Sequence, residues 1–307
     1  MQSEAKRYKN CVSVLQVPTL RDDMRVLYYS TFLLQSCKIR SMQNAEKHVS
    51  VHIEKTAGTS LTRFYMDLYG AQNVLIYNPV TDTVARSNEV ATIRTKPIFE
   101  WIKQLAIMRP FLPYISSLLI QLREKTATNY PADNLPDDFT VIHGHFLSTR
   151  FDGQIDDSLP TIVLRDPLDR MISHYAHWKR TKGVPLFRHN IPYSDNVIFK
   201  EFAFREEFQN YETQALDGKD LQSFDVVGTT EHIDLFGAHL LSELIRRGMV
   251  NHPQATNGLT IPYLYRNPQF TTLESLGISR PNMFRSEFQQ YHSLDYENYC
   301  LACLLEK

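Results

Sequence analysis

Five short apolar runs separated by longer helix-like stretches constrain this chain more than any other feature. They are His48–Ile53, Asn73–Tyr77, Phe139–Ile142, Thr161–Leu164 and Asp225–Gly228. Each is too short for a stable helix but long enough for a strand, and His48–Ile53 also alternates with the strand period. Between and after them the spacing predicts helices over 60–69, most of 81–130, 167–182, 195–208, 231–247 and 285–304. In 81–130, Ile98, Trp101, Ile102, Leu105 and Met108 fall on one helical face. Strands that alternate with helices bury both faces in a mostly parallel sheet, so the expected fold class is α/β, a central sheet flanked by helices. With 43% apolar and 22% charged residues, the chain can fill such a core, which excludes disorder, collagen and coiled coil for the whole chain. The first strand opens the domain assigned to 48–307, and 1–47, which lacks clear periodicity, reads as an N-terminal arm.

The charge is nearly balanced, 33 basic against 34 acidic residues. A general nucleic-acid binder would carry a basic excess, so no nucleic-acid partner is expected, although one local anion site is compatible. Four cysteines (Cys11, Cys37, Cys300, Cys303) are too few for a disulfide framework and read as reduced thiols. Cys300 and Cys303 form one pair without a second, so no metal site is expected. The uncharged run Val26–Cys37 and the proline-containing run Pro110–Leu122 fall short of the ~20 residues that a spanning helix needs. No transmembrane segment is expected.

In parallel α/β sheets, ligands bind beyond the carboxyl ends of the strands, so the residues after each strand matter most. The first strand runs into Glu54-Lys55-Thr56-Ala57-Gly58-Thr59-Ser60 and then a helix. Small residues at a strand-to-helix turn bring backbone N–H groups and the positive helix end to one point. Lys55 adds charge, and Thr56, Thr59 and Ser60 add hydroxyls. The loop suits a phosphate and makes the domain P-loop-like. It is not a Walker A loop, because no Gly-Lys-Ser/Thr occurs, and no Gly-x-Gly fingerprint occurs either. The strand at 161–164 ends in Arg165-Asp166-Pro167, with Asp166 as helix cap and Pro167 in the first turn. Ser173 lies two turns further on. Arg165 and Ser173 can face one anion, the arginine in bidentate fashion.

Together these motifs resemble a known family. His52-Ile53-Glu54-Lys55-Thr56-Ala57-Gly58-Thr59-Ser60 resembles the 5′-phosphosulfate loop of sulfotransferases. Leu164-Arg165-Asp166-Pro167, with Ser173 eight positions after Arg165, resembles their 3′-phosphate motif. The order and separation match as well. The likeness is to the carbohydrate branch, the heparan and chondroitin sulfotransferases and their bacterial relatives (sulfotransferase family 2). Ile142-His143-Gly144-His145-Phe146, Asn210-Tyr211-Glu212-Thr213-Gln214-Ala215-Leu216 and Leu294-Asp295-Tyr296-Glu297-Asn298-Tyr299 resemble it too. The resemblance covers about 48–305. Glu54 replaces the usual Pro and Ala57 a frequent Gly; both keep the loop small and polar.

The resemblance implies sulfuryl transfer from 3′-phosphoadenosine 5′-phosphosulfate (PAPS) to an acceptor hydroxyl, in line and without a metal. Lys55, Thr56, Ala57, Gly58, Thr59 and Ser60 would hold the 5′ side, with Lys55 also neutralising the leaving charge. Arg165 and Ser173 would hold the 3′-phosphate, completed by Arg280 or Arg285. His145 would be the base, with His143 assisting it or binding acceptor. His52, His174 and His177 read as structural or surface, His52 as hydrogen-bonded beneath the loop. Asn210 and Thr213 match a segment near the acceptor cleft. The implied acceptor is a glycan or glycolipid hydroxyl, walled by 80–130 and 183–194. With no Golgi-type anchor visible, a cytoplasmic, bacterial-type enzyme is expected. The rival readings are a P-loop nucleotide kinase and a catalytically inactive nucleotide-binding protein.

Overall fold

The computed structural model describes 46–92, 129–181, 191, 193–250, 259–262 and 272–306. The chain divides into Met1–Arg40 and Ser41–Lys307, and the described residues all lie in the second. Among them, seven strands form one sheet in the order β4-β3-β2-β5-β1-β6-β7: β1 Lys47–His52, β2 Val74–Asn78, β3 Thr83–Arg86, β4 Asn129–Pro131, β5 Val141–Gly144, β6 Ser158–Leu164 and β7 Val226–Thr229. The five strands from β2 to β7 across the sheet run parallel, while β3 and β4 add an antiparallel edge. The α/β class expected from the alternation is therefore the observed one.

Helix α1 (Gly58–Tyr69) follows β1, α2 (Ser87–Thr92) follows β3, α3 (Pro167–Thr181) follows β6 and α6 (Ile233–Arg246) follows β7. Between β6 and β7 the chain also forms α4 (Phe199–Ala203) and α5 (Tyr211–Leu216); it ends in α7 (Pro281–Tyr291) and α8 (Ser293–Leu305). Alternation in β1 divides the core. Val49, Val51 and Ile53 face one side, where Leu168, Met171, Tyr175, Trp178, Phe202 and Phe288 pack. On the other side Leu61, Phe64, Tyr65 and Tyr69 of α1 join Val163, Phe236 and Leu240.

Several sequence expectations change. The start and end of 81–130 are strands β3 and β4, because β3 pairs with the edge of β2 and β4 in turn with β3; the stripe from Ile98 to Met108 lies outside the described residues. The helix expected over 195–208 is only α4 plus a 3₁₀ turn, Glu206–Phe208. The single helix expected over 285–304 is two, broken at His292, whose ring reaches back to the Ala203 carbonyl at 3.1 Å. β5 starts and ends two residues later than expected, since parallel pairing with β1 runs on to Val51↔Gly144.

A basic loop beside a buried histidine cluster

The central strands β5, β1 and β6 lie side by side and end together: Val51 pairs with Gly144 and His52 with Val163. The segments that follow them, His145 after β5, the loop 54–57 after β1 and Arg165 after β6, therefore meet at one end of the sheet. The loop turns sharply. Lys55 (φ 74°) and Ala57 (φ 66°) adopt left-handed backbone, which a small residue tolerates best. The hydroxyl and amide of Thr56 both donate to the Ile53 carbonyl, at 2.9 and 3.3 Å. Thr56 is fully buried, so its hydroxyl shapes the loop instead of facing a ligand. Ser60 N–H turns back to the Ala57 carbonyl at 2.9 Å, which leaves the Gly58 and Thr59 amides as the first-turn donors of α1. Gly58 has no room for a side chain: a Cβ there would lie 1.6 Å from the His52 ring.

The lysine and arginine motifs come into contact. Arg165 Nη1 donates to the Lys55 carbonyl at 3.3 Å, and Arg165 Nε is buried without a hydrogen-bond partner. Burial, with the nearby charges of Arg180 and Arg165, lowers Lys55 to about 8. A lysine lowered by burial and by two cationic neighbours marks a basic, partly enclosed pocket. Asp166 caps α3 by accepting from the Asp169 amide at 2.9 Å. Ser173 is half-buried on α3, and His177 and Arg180 continue its stripe at helical spacing, the His177 ring meeting Arg180 Nη2 at 3.0 Å. Burial and the charges of Lys55 and Arg180 hold His177 down at about 4. The sequence reading missed Arg180 and His177 as neighbours of Lys55, although the 173-177-180 spacing after the Arg165 motif was a usable signal. Arg285 on α7 acts on Asp166, next to Arg165, while Arg280 lines a separate groove of about 200 Å³ with Ile198, Lys200 and Met283.

Four histidines gather beneath and beside the loop. His143 is a residue of β5, not of the segment after it, and is only 1% exposed. Its Nδ1 shares a 2.9 Å hydrogen bond with Ser50 Oγ, which in turn meets Tyr65 Oη at 2.9 Å. His48 is wedged between Tyr69 Oη at 3.1 Å and Thr161 Oγ1 at 2.9 Å. Burial lowers both His48 and His143 to about 3, so both are neutral. His52 was expected to be hydrogen-bonded beneath the loop. Instead its Nε2 is buried without a partner, and the ring is held by stacking on His145 (4.1 Å) and His143 (5.1 Å). His145 is half-buried, and its Nδ1 meets the His52 carbonyl at 2.9 Å. Since a carbonyl only accepts, Nδ1 carries the proton and Nε2 is the acceptor nitrogen, the form that a base needs. Gly144 separates the two histidines because a Cβ would come within 2.8 Å of Tyr77 Cβ.

Asn210 and Thr213 bond to the start of the last helix. Asn210 Oδ1 accepts from the Leu294 and Asp295 amides at 3.1 and 3.4 Å, and Asp295 accepts from the Glu212 and Thr213 amides at 3.2 and 2.8 Å. They join α5 to α8. Beneath this joint Arg170 lies 3.2 Å from Glu212, both fully buried, with its guanidinium 4.8 Å over the Tyr211 ring. Burial pushes the Glu212 and Asp295 carboxyls up against the pull of Arg170. Cys300 is exposed and Cys303 half-buried on α8.

No protein-family model and no curated protein matches this chain. One solved structure that it matches is described as retinol dehydratase in complex with androsterone and inactive cofactor PAP, at 13% identity and a TM-score of 0.28, over 90% of this chain and 84% of that one. Among the described residues no three metal-ligating side chains converge and no helix is long and apolar enough to cross a membrane.

Proposed function

We propose that this chain is a PAPS-dependent sulfotransferase acting on the hydroxyl of a glycan or glycolipid. The observation that carries the reading is the contact of Arg165 with the Lys55 carbonyl. It joins two phosphate-type motifs over a hundred residues apart at the ends of neighbouring strands, with His145 at the end of the next strand. The donor suits what is present. A basic pocket, left-handed backbone at Lys55 and Ala57, free first-turn amides and a buried orphan nitrogen on Arg165 together offer more donors than the protein itself satisfies.

In this reading PAPS supplies the sulfuryl group. Lys55, the amides of Gly58 and Thr59 and the Ser60 hydroxyl hold its 5′ side, and Ala57 and Thr56 shape the loop. Lys55 neutralises charge as the nucleotide leaves. Arg165, Ser173 and Arg285 hold the 3′-phosphate. His145 Nε2 takes the acceptor proton. His143, too enclosed to touch an acceptor, supports the strand end on which His145 sits. Fixed cations supply the charge stabilisation, so the reading requires no metal. A cytoplasmic location and an appended arm at 1–47 complete it.

The test is donor binding. Calorimetry should show adenosine 3′,5′-bisphosphate binding more tightly than adenosine 5′-phosphate. Arg165→Ala should weaken the bisphosphate by about 1.5–3 kcal/mol, the loss of a charged hydrogen bond, and the monophosphate far less. Equal losses for both remove the 3′-phosphate assignment. Preference for ATP with magnesium moves the reading to a kinase. Binding without transfer to any hydroxyl moves it to an inactive nucleotide-binding protein.

A further inference from the structure

Glu54 is 4% exposed, and its Oε1 has no hydrogen-bond partner. That oxygen lies 4.0 Å from His145 Nδ1. A buried carboxyl group left incompletely satisfied is costly and calls for a reason. The position follows from the fold: Glu54 is two residues past β1 and His145 one residue past β5, on neighbouring strands that end in step. His145 Nδ1 is engaged with the His52 carbonyl, a neutral dipole that fixes the tautomer but offsets little charge. The rings stacked on the far side, His52 and beyond it His143, are buried and bring no counter-charge. The His174 ring on α3 interacts with His145 and opposes a second positive ring there.

We infer that Glu54 is the counter-ion of His145, a positioning residue that stabilises its imidazolium as Nε2 accepts a proton. The arrangement follows the general logic of an imidazole held and balanced by a carboxylate on the side away from the reacting atom. The proton moves from the acceptor oxygen to Nε2, the Nδ1 proton stays in place, and the carboxylate is not protonated. Naming the proton's source rests on the sulfotransferase reading; the pairing of Glu54 with His145 does not.

Two arms test it. In the free protein, ¹⁵N-histidine spectra followed with pH should show the His145 ring titrating at higher pH in the wild type than in Glu54→Gln, by about one unit or more. The same ring should keep its proton on Nδ1 in both. In turnover, Glu54→Gln should lower kcat at least tenfold and move the acid limb of the rate profile down in pH, with the affinity for adenosine 3′,5′-bisphosphate unchanged. Glu54→Asp should restore part of the ring's upward shift. An unmoved His145 titration in Glu54→Gln overturns the proposal even in a fully active enzyme. A shifted titration with no sulfuryl transfer by the wild type leaves the pair standing and sinks the functional reading instead. If Glu54→Gln does not fold, the titration of Glu54→Asp decides: it must lie no higher than in the wild type, and a value above it overturns the proposal.

Discussion

Lys55 shows how a residue's surroundings decide its chemistry. Its left-handed backbone and part-buried side chain bring it under Arg165 and Arg180, and its ammonium is held at about 8. A bound phosphate should restore the charge by pulling that value back up. Binding of adenosine 3′,5′-bisphosphate near pH 8 should therefore take up a fraction of a proton, and it should weaken as pH rises from 7 to 9. Calorimetry in buffers of different ionisation enthalpy measures this directly, and no uptake at pH 8 would contradict a charge lost on burial. Lys55 stood out in sequence as an anion-site candidate, because it is a lysine beside small residues at a strand-to-helix turn. Its lowered value was not, since Arg180 lies 125 residues away and only the packing of α3 brings it near.

At the scale of elements, the joint between α5 and α8 stands out. Asp295 accepts from two amides and one hydroxyl at the start of α5, and Asn210 returns two amides at the start of α8. Each short helix supplies the cap of the other, which replaces the self-capping that neither sequence provides. Asp295→Ala leaves buried amides unpaired and should cost about 1–3 kcal/mol of stability. Urea unfolding checks this, and a loss within the usual scatter of surface substitutions would mean that the joint is not structural. The resemblance drew attention to 210–216 and 294–299 separately but could not say that they bond to each other. In the same way β3 and β4 escaped the periodicity reading. Short edge strands carry little pattern of their own and form because a neighbour offers an open edge, β2 to β3 and β3 to β4.

For the whole molecule, the buried imidazoles predict acid sensitivity. Burial lowers His48, His52, His143 and His174 from the ordinary value of 6.5. Their folded values lie below the unfolded one, so under pH 6.5 the unfolded chain binds more protons and stability falls as pH falls. Each such ring costs about 1.4 kcal/mol per pH unit in that range. The raised carboxyls of Glu212 and Asp295 act in the opposite sense, since they favour the folded state where they are protonated. His177 and His292 are lowered as well, and Asp166 and Asp225 raised, so the lowered rings still outnumber the raised carboxyls and denaturant midpoints should drop steadily from pH 7 to pH 5. A flat midpoint over that range would show that the rings are hydrated.

The sequence by itself determined the sheet-and-helix class and marked the loop after β1 and Arg165 as candidates for an anion site, because both rest on local pattern: strand length, small residues at a turn, a capped helix start. It also singled out His145. Tertiary structure alone decided which of these meet. Parallel pairing of β5, β1 and β6 brings His145, the loop and Arg165 to one edge, moves His143 into the strand and sets Glu54 beside His145. Those are contacts between residues some ninety or more positions apart, and no local propensity carries information about a neighbour that distant; only burying both faces of one sheet does.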